Sequence, residues 1–319
     1  MPTSYKDWSS FSCFFSAEYS QAFLKKCYQS LHISDIDTKS YQNCYPFIYF
    51  LEHGKLYYQQ ATQAPLSIKP VLIFYGLVHL IKACLLTVDP NYPSSTSVLA
   101  HGVSTRKLKK QEYHFSLDEV KIQKNGLFTF MSEKLFHFHN LEGEKIKMGY
   151  LFKQIPELSE LVYTLEGSRS FLQLKSTEEQ LVIPKEILKL YFMNEEQLKD
   201  YLENKSNLSI KSIQTKNALN IELLEPLSPI YSSLIKWDCR RNLHLISTNK
   251  ETTPYSNEVI SHYLILYNLS MIARYEIEWW SELFKTMPNK DFPFIESFLY
   301  IAVEKGPQLI YEFLEKEKH

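Results

Sequence analysis

The stretch from Pro70 to Thr87 constrains this chain more than any other, because nearly every face of the helix it predicts is apolar. Such a helix has no side to give to water and must lie at the centre of a core. Pro70 suits a first helical turn, where a missing N–H leaves no bond unmade. Asp89-Pro90-Asn91-Tyr92-Pro93 supplies the stop, and Ser94 to Ser97 continues as a loop. The longest apolar run inside this stretch, Val71 to Leu86, is interrupted by Gly76, His79 and Lys82 and is short for a bilayer span. It is read as a buried helix, and no membrane partner is expected. Gly76 fits close helix–helix approach.

Against this apolar background Tyr75, His79 and Lys82 fall at i, i+4 and i+7, a spacing that places them in one stripe. A buried lysine is expensive unless it is paired or reaches water. The stripe therefore lines a ligand-facing cleft, meets acidic groups from another helix, or leaves Lys82 snorkelling outward. A second constellation, His101-Gly102-Val103-Ser104-Thr105-Arg106, follows the loop. Its His, Ser and Arg donors could hold a phosphate or carboxylate, or simply cap a turn into a basic helix. A third set lies on a helix expected over Val259 to Lys285, where Ser270, Arg274 and Glu278 share a face and Trp279-Trp280 packs one ring inward. The candidate ligand-binding residues are thus Tyr75, His79, Lys82, His101, Ser104, Arg106 and Arg274.

The remaining chain predicts a mainly α protein, a helical bundle core with a small α+β insertion. An aromatic-rich helical region spans 1–150, the α+β insertion 151–225, and a C-terminal helical region 226–319 packs on the first. Tyr45 to Ala64 reads as a helix ended by Pro65. Val120 to Phe130 holds an Asn125-Gly126 pair between apolar stretches, a hairpin signal. Phe171 to Leu174, Gln180 to Ile183 and Leu208 to Leu224 read as strands, and Glu195 to Asn204 as a helix. Pro293 to Glu304 and Pro307 to Lys316 read as two helices parted by Gly306-Pro307. Only 8 glycines among 319 residues fit long helices better than a many-turned β-sandwich.

Several function classes lose support. Lys and Arg number 35 against 36 Asp and Glu, so no global field draws in nucleic acid, and no DNA is expected as partner. The densest basic segment, Arg106 to Lys110, reads as a solvated loop. Five cysteines, none in CxxC spacing, argue against a disulfide framework or a zinc site and fit reduced thiols. His137-Phe138-His139 would share a strand face but lacks a carboxylate or cysteine at ligand spacing, so no metal is expected. The chain has no GxGxxG, no GxxxxGK[ST] and no GxSxG. Met1 to Ser20 shows no signal-peptide pattern, and the expected location is cytoplasmic.

Taken as a set, Tyr57-Tyr58-Gln59-Gln60-Ala61, Pro65-Leu66, Tyr75 to Ala83, His101-Gly102, Tyr267 to Glu276 with Trp280, and Tyr5-Lys6-Asp7-Trp8 resemble the YaaC-like family of bacilli and relatives. The resemblance spans nearly the whole chain. That family is functionally uncharacterised, and its members are often encoded near IMP dehydrogenase, which implies a link to purine nucleotide metabolism. The first half also looks loosely like the HEPN class of helical domains, which includes ribonucleases and nucleotide-binding modules. The ribonuclease members carry an Arg followed four to six residues later by a His. Here Arg106 and His114 are too far apart for that motif, and Arg240 and Arg241 stand too close to His244. The expected function is a non-enzymatic binding or regulatory protein with a protein partner, an enzyme of purine metabolism being the implied one, and with no cofactor. The alternative is a nucleotide- or RNA-binding module, a divergent nuclease included.

Overall fold

The computed structural model describes residues 5–105, 113–177, 179–206, 208–215, 218–224, 234–251 and 253–318. In chain order its elements are α1 (Ala17–Ser30), α2 (Ile36–Gln63), α3 (Lys69–Val88), β1 (Val103–Thr105), β2 (Glu119–Ile122), α4 (Leu127–Phe136), β3 (Lys145–Lys147), α5 (Met148–Phe152) and α6 (Ser159–Glu166). They continue with β4 (Phe171–Gln173), β5 (Lys175–Ser176), β6 (Gln180–Ile183), α7 (Glu186–Tyr191), α8 (Glu195–Ser206), β7 (Ile210–Thr215), β8 (Leu219–Leu223), β9 (Ile235–Asp238) and β10 (Leu243–Ser247). Three helices close the chain: α9 (Glu258–Tyr275), α10 (Ile277–Thr286) and α11 (Asp291–Lys316). The fold is mainly helical, with small antiparallel sheets between β1 and β10.

The chain divides into two compact units. The helical unit comprises Ser4–Tyr150 and His262–His319. At its centre α2 and α3 form a helical hairpin, against which α1, α4 and α11 pack. Helix α3 is buried along most of its length, from Ile73 and Phe74 to Leu85 and Leu86. Among the described residues it is the one helix long and apolar enough to cross a membrane, and 67% of its most apolar window is buried inside the protein. Its apolar character is spent on the core. The hairpin closes tightly because Gly54 lies against Leu80 and Gly76 against Tyr58, where added Cβ atoms would meet side-chain carbons at 2.5 and 2.8 Å. Lys69, buried, donates from Nζ to the carbonyls of Ala61 (2.8 Å) and Thr62 (3.3 Å). It thereby satisfies the exposed end of α2, where a cation also suits the helix dipole.

Three local expectations give way to longer-range packing. Asn125-Gly126 does not turn a hairpin: β2 is followed by helix α4, and Gly126 at φ 130° leads into it. The reason is contact with Gly102, since a Cβ on Gly126 would lie 2.3 Å from the Gly102 Cα. The helix expected over Val259 to Lys285 breaks at Glu276, whose ψ of 48° leaves the helical region. The break lets α10 bury Trp280 and Leu283, with the Trp280 Nε1–H donating to the Ser67 carbonyl at 2.9 Å. Glu278 therefore lies beyond the break and does not continue the Ser270–Arg274 face. Finally, α11 runs unbroken through Gly306-Pro307. One helical N–H is lost at Pro307, while the missing side chain of Gly306 admits the Tyr58 hydroxyl.

The α+β unit covers Leu151–Ser261. Its two sheets have strand orders β4-β10-β9 and β5-β6-β8-β7, antiparallel at the pairings Leu245↔Gln173, Ile246↔Ile235, Leu181↔Ile221 and Ile221↔Ile213. Leu181, Ile183, Ile187, Tyr191, Leu198 and Leu219 belong to its own apolar core.

Candidate functional site

Within the helical unit, two helix faces with matching spacing oppose each other. From α3 come Tyr75, His79 and Lys82. From α2 come Phe50, His53 and Tyr57, at i, i+3 and i+7. Tyr57 stacks on His79 with ring centroids 5.5 Å apart and planes inclined by 23°. It also lies 6.1 Å from Tyr75 at 30°. His79 is 5.4 Å from His53 and 6.1 Å from Phe50. Lys82 Nζ stands 5.7 Å over the Phe50 ring, an attractive cation–π distance. Tyr75, His79, Lys82, Tyr57 and Phe50 are half-buried, and His53 is exposed.

Two further segments converge on the Tyr75 end. His101 places its ring 5.9 Å from Tyr75, 5.0 Å from Phe74 and 5.8 Å from Tyr267. Its carbonyl accepts the Tyr263 hydroxyl at 2.8 Å, which fixes the segment to α9. Arg274, in the last turn of α9, holds its guanidinium 6.0 Å over the Tyr75 ring and 5.2 Å over that of Tyr275. Its Nε–H donates to the Ser270 carbonyl at 3.0 Å, and Nη1 lies 3.5 Å from the Tyr75 hydroxyl. A buried contact anchors α9 nearby: Asp118 Oδ2 accepts from Asn268 Nδ2 (3.0 Å) and from the Tyr113 hydroxyl (2.6 Å).

The electrostatics follow from this crowding. Burial pushes the His79 pKa down to about 4, and Lys82 and His53 add repulsion. Burial lowers that of Lys82 too. His101 is lowered by burial, then by Arg274 and Lys82. Among the described residues, no carboxylate pairs with Lys82 or Arg274. The Nδ1 atoms of His79 and His101 are buried and find no hydrogen-bond partner among the described residues. The cluster therefore presents two positive charges, on Lys82 and Arg274, the uncharged imidazoles of His79 and His101, and a set of aromatic faces.

The profile of the family described as YaaC-like Protein matches residues 12–314 of this chain. The chain belongs to that family. No curated protein and no solved structure matches it. The whole-chain resemblance to YaaC-like proteins thus holds, while the HEPN-like resemblance of the first half finds no counterpart in these comparisons.

In this YaaC-like protein five of the seven residues singled out in the sequence come together: Tyr75, His79, Lys82, His101 and Arg274. Ser104 lies on β1, opposite Lys121 of β2, and its Oγ accepts from Gln123 Nε2 at 2.6 Å. Arg106 and the basic segment to Lys110 lie outside the described residues. His137 ends α4 in the left-handed region at φ 58° and is not on a strand. No group of three or more His, Cys, Asp or Glu that could hold a metal occurs among the described residues. Arg241 is bound up by Asp238 and Glu160. Ser176 Oγ lies 2.7 Å from His244 Nδ1, but burial pushes that histidine down to about 4, which makes it a poor base at neutral pH. Sequence reasoning missed Phe50, His53 and Tyr57; their spacing mirrors that of the α3 stripe and was the available signal.

Proposed function

We propose that this YaaC-like protein is a regulatory binding protein that takes a small anionic ligand at Tyr75, His79, Lys82, His101 and Arg274. The observation that carries the reading is the pair of half-buried cations with no carboxylate partner among the described residues. Holding positive charge away from water is unfavourable unless a counter-charge compensates it. Lys82 expresses that cost as a lowered pKa. An anion entering the cluster supplies the missing counter-charge. Binding is favoured over turnover because His79, with its pKa near 4, is too weak a base to abstract protons at neutral pH.

Titration calorimetry of the full chain with ribose 5-phosphate tests this. A charge-assisted contact contributes about 1.5–3 kcal/mol, so Lys82→Ala and Arg274→Ala should each weaken binding by tenfold or more. Unchanged affinity in both variants, with wild-type binding observed, would remove the cluster from the ligand's path.

A protein partner is a second reading, and a different surface favours it. Tyr41, Tyr45 and Tyr49 are 66, 52 and 54% exposed at i, i+4 and i+8 of α2, and Leu56 is exposed further along the helix. Tyrosine is enriched among the residues that dominate protein–protein affinity. That the partner is an enzyme of purine metabolism rests on the gene neighbourhood of the family alone. A cytoplasmic location is part of the same proposal.

A further inference from the structure

A bare inorganic anion is bound by charge and hydrogen bonds, and aromatic faces add little to it. Here the cations are set among rings. Tyr75, Tyr57, His79 and Phe50 form a row in which neighbouring planes are inclined by only 30, 23 and 31°. All four are half-buried rather than sealed in the core. Arg274 caps the Tyr75 end of the row and Lys82 the Phe50 end. Along α3 the two ends are separated by seven residues, about 10 Å at the helical rise. A ligand that uses the whole cluster therefore has extent, a flat part and charge.

The charge can be counted. Lys82 and Arg274 contribute two positive charges, and His79 is neutral at pH 7. A phosphate monoester carries about −1.5 to −2 at that pH, and placed at the Tyr75 end it meets Arg274 directly. The guanidinium of Arg274 has the planar donor fork that suits phosphate oxygens. The uncharged His79 offers a neutral π-face, and its buried Nδ1 finds no hydrogen-bond partner among the described residues.

Resting on the anion-binding reading, we propose that the ligand is a nucleoside phosphate, its flat base lying against the aromatic row at Tyr57 and His79 and its phosphate meeting Arg274 at the Tyr75 end. Stacking of a base on an aromatic side chain contributes about 1–3 kcal/mol, equivalent to roughly tenfold in affinity. Free nucleotides and the end of a single strand share this chemistry.

Calorimetry on the whole 319-residue chain would compare AMP and GMP with ribose 5-phosphate, which has the anion and no base, and with guanosine, which has the base and no phosphate. The wild type should bind at least one nucleotide tenfold more tightly than either fragment. Tyr57→Leu should bring that nucleotide and ribose 5-phosphate to within about twofold, while Tyr57→Phe keeps the difference. If Tyr57→Leu does not fold, the wild-type and Tyr57→Phe measurements decide alone. Equal affinities for nucleotide and ribose 5-phosphate in the wild type overturn the base contact and leave the anion site standing. Binding of guanosine as tight as that of GMP overturns the phosphate contact. No binding by any of them overturns both the inference and the reading beneath it. A 5′-phosphorylated single-stranded hexanucleotide that outcompetes the mononucleotide supports the same chemistry with a strand as its source.

Discussion

At the scale of single residues, the imidazole of His79 lies between Tyr57 and His53 of α2, one turn before Lys82 on α3 and close to Phe50. Burial is the main cause of its low pKa, about 4 against an ordinary 6.5. In the unfolded chain the same group takes a proton near pH 6.5. Between pH 6.5 and 4 the unfolded state therefore binds more protons than the folded one, and stability falls as pH falls. His79→Gln removes that contribution. Urea midpoints measured at pH 7 and pH 5 should drop less in His79→Gln than in the wild type. An equal or larger drop in the variant would mean that His79 titrates as it does in water.

Why the site was only half legible is also a residue-scale matter. Helical spacing ties Tyr75, His79 and Lys82 to one face, because 3.6 residues per turn is a property of the local chain. Nothing local says which face of which helix stands opposite. His101 and Arg274 were conspicuous for their own reasons, in separate segments, and only packing of α9 and the loop after α3 on the same region brings them to Tyr75. Ser104 fails as a cluster member because β1 pairs with β2, where its Oγ accepts from the Gln123 side-chain amide.

At the scale of elements, α3 was readable because both its signals, apolar on all sides and bounded by Pro70 and Asp89, are written in consecutive residues. Helix α11 was not, because Gly306-Pro307 is a strong local stop signal. Proline in a helix interior costs about 3 kcal/mol, yet residues on both sides of it are buried, from Phe298 and Leu299 to Leu309 and Leu314. Burying a single large apolar side chain contributes about 1.5–3 kcal/mol, so two turns of continued burial outweigh the proline. Helix α2 likewise starts at Ile36, ahead of the expected Tyr45, and carries Pro46 in its interior.

The exposed tyrosine face belongs to this scale as well. If α2 docks a protein there, Tyr45 and Tyr49, whose rings lie 6.0 Å apart, stand at its middle. Loss of a dominant interface side chain costs about 2 kcal/mol or more. The double variant Tyr45→Ser/Tyr49→Ser should therefore bind purified IMP dehydrogenase at least tenfold more weakly than wild type in biolayer interferometry. Because both rings are solvent-exposed, the fold should keep its thermal midpoint. Absence of wild-type binding excludes this enzyme as the partner, and equal binding by the variant excludes this face.

At the scale of the molecule, the described residues of the α+β unit fall within one stretch of sequence, Leu151–Ser261, whereas the helical unit is assembled from two separated stretches. Part of the α+β unit was legible. Strand β8 alternates buried and open positions, and Gln180 to Ile183 and Glu195 onward behave as their patterns predict. Strand β9 was not, since all four residues Ile235, Lys236, Trp237 and Asp238 are buried and the period-two signal vanishes. The apolar core of this unit is supplied from within it, from Leu172 through Leu181, Ile187, Leu198 and Ile221 to Ile246. A chain of roughly one hundred residues with its own core is of the size that commonly folds alone in a two-state manner. The excised fragment Leu151–Ser256 should therefore unfold in urea through one sigmoidal transition, seen identically by circular dichroism and by the fluorescence of its sole tryptophan, Trp237. Trp237 is buried against His244, with ring centroids 4.9 Å apart, so its emission reports on the β9–β10 pairing while dichroism reports on α7 and α8. Coincident curves require the strands and helices to melt as one body. A broad, non-coincident loss of the two signals would mean that this core holds together only as part of the whole chain.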